Sequence, residues 1–150
     1  MHPVYVHIKK ELSPFYAEEE ASAMAKWISS DILHLSTLEL YTGKDMNFST
    51  KEWEELEDIL RRLKQREPLQ YILQEASFCG MSFHVEQGVL IPRPETEELV
   101  EWIVSDYREA GQVRILDIGT GSGCIPVSLA QLLPEAQVSS CDVSAEALRI

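Results

Sequence analysis

The chain has 150 residues, 45% of them hydrophobic, and carries 25 acidic against 13 basic side chains, a formal charge of −12. That apolar content is ordinary for a chain with a buried core and argues against global disorder. No apolar stretch reaches bilayer length, and residues 1–12 lack the h-region and small-residue cleavage site of a signal peptide, so a cytoplasmic location is the expectation. A surface this acidic repels phosphate backbones and disfavours general nucleic-acid binding, while remaining compatible with a small-molecule cofactor or a protein partner.

Residues 1–75 read as helical. Ser13-Pro14 has the form of a helix start, with Glu18, Glu19 and Glu20 following near the positive end of the dipole. Ala21, Met24, Ile28 and Ile32 recur at helical spacing, and a shorter apolar segment from Leu33 to Tyr41 ends at Thr42-Gly43, where glycine suits a stop. Ser49 and Glu52 have capping-box spacing. Behind them Trp53, Leu56, Leu60 and Leu63 form one apolar stripe. These stripes predict a helical bundle, with Trp27 and Trp53 in its core.

Between Ala76 and Val89 the period changes. Ser77–Cys79 and Ser82–Val85 flank Gly80-Met81 and predict a β-hairpin over a linker of residues 76–91. Pro92-Arg93-Pro94 cannot be helix interior. A helix is expected from Glu95, with Leu99, Ile103 and Tyr107 on one face, closing at Gly111. From Val113 the order is strand, glycine loop, helix, strand: Val113–Ile118 suits a buried parallel strand. Ile125, Leu129 and Leu132 give the next helix its apolar face, Pro134 ends it, and Val138–Cys141 is the second strand. Ser144 is placed to cap a further helix from Ala145. This is a β-α-β unit, the start of an α/β fold; a sheet of two parallel strands is expected to continue beyond residue 150.

The chemistry concentrates at Asp117-Ile118-Gly119-Thr120-Gly121-Ser122-Gly123, where strand gives way to helix. Glycines at alternate positions let the backbone turn sharply and a ligand approach it closely, and amides at the helix start offer donors to polar groups. Asp142 ends the next strand, where a carboxylate can accept both hydroxyls of a ribose. A nicotinamide-type fingerprint needs a third glycine where this chain has Cys124, and a P-loop needs a lysine that is absent. A tight strand–helix turn that binds nothing is the alternative. Cys79, Cys124 and Cys141 are odd in number and far apart, and neither they nor His2, His7, His34 and His84 have metal-ligand spacing. No disulfide framework and no metal are expected.

The acid followed by G-x-G-x-G resembles motif I of class I methyltransferases. A second constellation narrows the resemblance: Gly88-Val89-Leu90-Ile91-Pro92-Arg93-Pro94-Glu95-Thr96-Glu97, with Glu67-Pro68-Leu69-Gln70-Tyr71-Ile72 and the Phe78–Phe83 hairpin before it. Together these runs resemble the HemK/PrmC family, the N5-glutamine methyltransferases of peptide chain release factors. The resemblance implies a helical substrate-recognition domain at 1–75, the hairpin linker at 76–91, and at 92–150 the first part of a Rossmann-like methyltransferase domain. It implies S-adenosyl-L-methionine as cofactor and class 1 release factors as partners, methylated on the glutamine of their Gly-Gly-Gln motif. By position, Gly119, Thr120, Gly121, Ser122 and Gly123 would line the methionine part of the cofactor, Asp142 its ribose, and Asp117 would help order the loop. Arg93, Pro94, Glu95 and Thr96 would lie near the cofactor and substrate mouth. The family's catalytic Asn-Pro-Pro-Tyr motif does not occur in residues 1–150. These residues therefore account for cofactor binding but not for catalysis, and a polypeptide ending at Ile150 is expected to transfer no methyl group and to bind cofactor weakly if at all. A nucleic-acid amino-methyltransferase of the same fold and a non-catalytic interaction domain are the rival readings.

Overall fold

The computed structural model describes residues 1–43 and 48–150; Met46, which carries no specific sequence signal, lies outside the described residues. It is a mixed α/β chain with helices and two small sheets, dividing into compact units at Met1–Leu69 and Gln70–Ile150. Among the described residues no helix is long and apolar enough to cross a membrane.

The first unit is helical. Helix α1 (Pro3–Leu12) opens with proline at its first position and buries Val4, Tyr5, Ile8 and Leu12. Ser13-Pro14 closes this helix instead of starting the next: the Ser13 amide and hydroxyl both donate to the Lys9 carbonyl, the hydroxyl at 2.6 Å. A serine hydroxyl serves either end of a helix, and only the upstream i, i+4 series of Val4, Ile8 and Leu12 distinguishes the two. Helix α2 (Glu18–Asp31) carries Glu18, Glu19 and Glu20 in its first turn and buries Ala21, Ala25 and Ile28. Helix α3 (Thr37–Thr42) stops at Gly43, whose φ of 66° is the left-handed cap that glycine favours. Helix α4 (Thr50–Lys64) has the expected capping box, with the Ser49 amide donating to Glu52 at 2.7 Å and the Glu52 amide to Ser49 Oγ at 3.3 Å.

The α4 stripe buries Leu56, Ile59, Leu60 and Leu63. Trp53 does not join it. It is 40% exposed, edge-on to His7 and Phe48. Trp27 is half-buried, its indole N–H donated to Asp31. Both rings cover apolar surface while keeping a wet edge, as amphipathic aromatics do. Helix α1 packs on α2 and α4, and polar ties fix the arrangement: Lys64 to Glu11 at 2.6 Å, Lys9 to Glu18 at 3.0 Å, and the Tyr16 hydroxyl to the Leu63 carbonyl at 2.6 Å.

A short helix α5 (Leu69–Leu73) leads into β1 (Glu75–Phe78), which pairs antiparallel with β2 (Met81–His84). The turn is Cys79-Gly80, one residue earlier than Gly80-Met81, with φ of 49° and 73°. Two successive positive φ values match the right-handed strand twist. Helix α6 (Pro94–Tyr107) buries Val100 and Val104, not the predicted stripe: Leu99 and Tyr107 are exposed and Ile103 only half-buried. The hairpin decides the face, since Phe78 and Phe83 share one apolar cluster with Val100, Val104, Cys124 and Leu129. Strand β3 (Arg114–Ile118) runs parallel to β4 (Gln137–Cys141), with Asp117 opposite Ser140, and helix α7 (Cys124–Leu132) connects them. Only one face of β3 is covered; Leu116 and Ile118 are 61% and 77% exposed. On α7, Leu129 is buried as expected, whereas Leu132 is exposed and Leu133 takes the inner position.

One ion pair of the first unit is bidentate: Arg62 reaches Glu67 through Nε at 2.8 Å and Nη2 at 2.6 Å. The Arg62 hydrogen bonds hold the Glu67 carboxyl below its usual range. A carboxyl depressed in the folded state contributes its full stabilisation above the ordinary carboxylate pKa and loses it as pH falls through the lowered value. Glu67→Gln is expected to destabilise the first unit by about 1 kcal/mol at pH 7. In urea unfolding followed by helical circular dichroism, the difference should vanish once acid protonates Glu67 in the wild type. An unchanged midpoint at pH 7 would show that the pair contributes nothing.

Candidate functional site

The site forms at the carboxyl ends of β3 and β4, where the backbone must leave a strand and enter a helix within a few residues. Gly119, Gly121 and Gly123 adopt φ of 83°, 54° and 74°, values that put a Cβ against the backbone in any other residue. Their alternation makes the loop. The amides of Gly119 and Thr120 donate back to the Cys141 carbonyl at 2.8 and 3.2 Å, and that of Gly123 to the Thr120 carbonyl at 2.9 Å. The loop is thereby folded over the end of β4 before α7 begins at Cys124.

Asp142 stands at the centre of this arrangement. Its Oδ2 accepts the Gly121 N–H and its Oδ1 the Ser144 N–H, each at 2.8 Å. These backbone donors, Ser144 first, hold the carboxyl below the ordinary aspartate range. Each carboxylate oxygen retains a lone pair for a further donor. Ser144 Oγ in turn accepts the Ala147 N–H at 3.1 Å. The expected helix from Ala145 is a single 3-10 turn, Ala147–Arg149.

Asp117 sits on the inner, half-buried side of β3. Its Oδ2 and the Thr120 Oγ1 are buried without a hydrogen-bond partner, a rare condition in folded proteins. The side-chain hydrogen bond to the loop backbone comes from Asp142, at Gly121. Space beside the loop is open, because a Cβ built at Gly119 or Gly121 meets nothing within 4 Å. Orphaned oxygens, an open cradle and an ionised acid with spare acceptor capacity suit a polar ligand bearing N–H or O–H groups.

Arg93, Pro94, Glu95 and Thr96 lie at the start of α6. Arg93 occupies the N-cap without a side-chain bond, Pro94 the first helical position, and Thr96 donates its amide to the Arg93 carbonyl at 2.9 Å. No hydrogen bond or ion pair ties these residues to the glycine loop among the described residues. Sequence reasoning missed Glu97 of the same run, whose Oε1 accepts the Cys79 N–H at 3.0 Å and steadies the strained hairpin turn. It also missed Tyr71, which donates its hydroxyl to the Val89 carbonyl at 2.7 Å. Neither has a spacing signal; both act across the fold. Among the described residues no group of His, Cys, Asp and Glu could hold a metal ion.

Asp142→Ala is expected to release the Gly121 and Ser144 amides from their shared acceptor. Both should exchange with solvent faster than in the wild type at pH 7, while α7 amides keep their protection. In the wild type the same loss should come only as pH falls below the usual aspartate range, because the folded pKa is lowered. Amide exchange read by ¹H–¹⁵N spectroscopy checks both.

Comparison with known proteins agrees with the motif reading. The PrmC N-terminal domain family matches residues 5–73. The chain is 47% identical over 150 residues to a release factor glutamine methyltransferase of Bacteroides thetaiotaomicron, covering all of this chain and 53% of that protein. It is 41% identical over 140 residues to the namesake of Flavobacterium psychrophilum, covering 91% and 49%, and 40% identical over 153 to that of Chlorobaculum tepidum, covering 97% and 52%. The chain thus spans about half the length of the curated relatives it matches. As the counterpart of their N-terminal portion, it belongs to the HemK/PrmC family of release factor glutamine methyltransferases.

Proposed function

We propose that the chain forms the substrate-recognising and cofactor-binding part of an S-adenosyl-L-methionine-dependent methyltransferase. Its target is the side-chain nitrogen, N5, of the glutamine in the Gly-Gly-Gln motif of cytoplasmic class 1 release factors. The observation that carries the reading is the acid-tipped glycine loop, with the unpartnered Asp117 and Thr120 oxygens beside an open cradle. Residues 1–75 serve as the recognition domain, 76–91 as the linker, and 92–150 as the first part of a Rossmann-like fold. The names of the relatives support the reaction, and the charge of −12 supports a protein over a nucleic-acid substrate.

Asp142 accepts the ribose hydroxyls on lone pairs that its backbone donors leave free. Asp117 and Thr120 would hold the polar methionine end of the cofactor, since their unpartnered oxygens match an ammonium and a carboxylate in charge and hydrogen-bond polarity. Gly119, Gly121, Ser122 and Gly123 bring backbone close to the ligand where a side chain would stand in the way. When bound, the cofactor supplies an electrophilic methyl group on a sulfonium. The acceptor amide is a poor nucleophile, since its lone pair is delocalised into the carbonyl, so it must be held in line and its developing charge stabilised. That work belongs to an Asn-Pro-Pro-Tyr motif, which residues 1–150 do not contain. Arg93, Pro94, Glu95 and Thr96 border the mouth.

The 150-residue polypeptide is expected to bind S-adenosylmethionine weakly, perturbing the amides of Gly119, Gly121, Gly123 and Ser144, and Asp142→Asn should remove the effect. Perturbation by NAD but not by S-adenosylmethionine would overturn the cofactor assignment. With radiolabelled cofactor and a class 1 release factor, the same polypeptide should transfer no methyl group. Detectable transfer would place catalysis within these residues.

A further inference from the structure

Two of the runs that mark the family, Gln70-Tyr71-Ile72 and Gly88–Ile91, have no part in the chemistry above, yet they meet in the second unit. The Tyr71 hydroxyl donates to the Val89 carbonyl at 2.7 Å, and Val89 and Ile91 share a buried cluster with Ala76, Val85 and Ala147, against which Tyr71 and Ile150 pack. Gly88 lies beside the turn that follows Asp142. Its φ is 126°, and a Cβ there would meet Glu146 Cγ, Glu146 Cδ and Ile150 Cδ1, each at 3.1 Å. The backbone conformation disfavours any side chain, and a Cβ would push Glu146 and Ile150 aside by a few tenths of an ångström. That turn is tied to the ribose acid: the Leu148 amide donates to the Ser144 carbonyl, the Ala147 amide to Ser144 Oγ, and the Ser144 amide to Asp142 Oδ1.

From this continuous path we infer that Tyr71 and Gly88 are positioning residues for the cofactor site, buckling the 88–91 segment onto the turn after Asp142 so that the ribose acid and the Arg93–Thr96 mouth keep a fixed relation. Tyr71 holds the segment from one side through a single hydroxyl. Gly88 permits the contact on the other. Ile91 then leads directly into Pro92 and Arg93, so the same buckle sets where α6 begins. The inference rests on the cofactor reading for its functional meaning, but the buckle itself is testable without any cofactor.

The experiment follows amide exchange in the whole 150-residue chain for wild type, Tyr71→Phe and Gly88→Ala, with Ile125–Leu129 of α7 as internal reference. Tyr71→Phe keeps the ring and removes only the donor, so it remains informative if Gly88→Ala fails to fold. Exchange at Ser144 and Ala147 should rise about tenfold in the variants while the α7 amides stay within twofold of wild type, the pattern of local opening. Equal acceleration at both places would reduce the two residues to general stability and overturn the inference, as would no acceleration in Tyr71→Phe. Adding S-adenosylmethionine to the wild type separates the two claims: no response at Gly119–Gly123 defeats the cofactor reading and leaves the buckle standing.

Discussion

The second unit turns on one carboxylate. Asp142 ends β4 and accepts backbone N–H groups from two directions, the glycine loop at Gly121 and the following turn at Ser144. A loop of alternating positive-φ glycines has little intrinsic preference for one shape, and its Gly121 amide has Asp142 as its acceptor. The charged acceptor selects one shape from many. The acid proposed to accept a ribose is therefore also the acid that shapes the loop, which is arranged without any ligand.

This dual role explains what the sequence disclosed and what it withheld. The spacing of Asp117, Gly119, Gly121, Gly123 and Asp142 was legible because each position answers a local demand: a strand end, a positive φ, a helix start, a second strand end. The Ser49–Glu52 box and the Gly43 stop were legible for the same reason. Where the deciding partner is distant, the pattern misleads. Val100 and Val104 face inward on α6 in place of Leu99 and Tyr107 because the Phe78–Phe83 hairpin lies on that side. Nothing within residues 94–107 records the hairpin's position. Ser13-Pro14 misled differently, since the same hydroxyl can serve either end of a helix, and the answer lay in Val4, Ile8 and Leu12 before it.

The hairpin shows how a cost in one place is met from another. Cys79 takes a positive φ without being glycine, a conformation disfavoured for side chains with a Cβ. Its freed amide is accepted by Glu97 of α6, and its strands place Phe78 and Phe83 on the core. Local strain is thus balanced by burial and a charged acceptor, both supplied by a helix that begins at the family's Pro-Glu-Thr-Glu run. That run thus joins hairpin to helix, whatever its part toward the proposed ligand.

Among the described residues the buried side-chain oxygens without a partner are those of Asp117, Thr120 and Ser128. Ser128 faces the Cys79 thiol, a weak partner at best. Of the other two, Asp117 lies near the end of β3 and Thr120 on the glycine loop. A fold that satisfies its buried polar groups nearly everywhere else would gain from filling both with solvent or apolar side chains if the loop were only a turn. A carboxylate oxygen and a hydroxyl buried without a partner carry a desolvation cost that a mere turn has no reason to bear. Their placement beside an acid whose own hydrogen bonds are already made is the physical ground, apart from the glycine spacing, on which the proposed cofactor site rests.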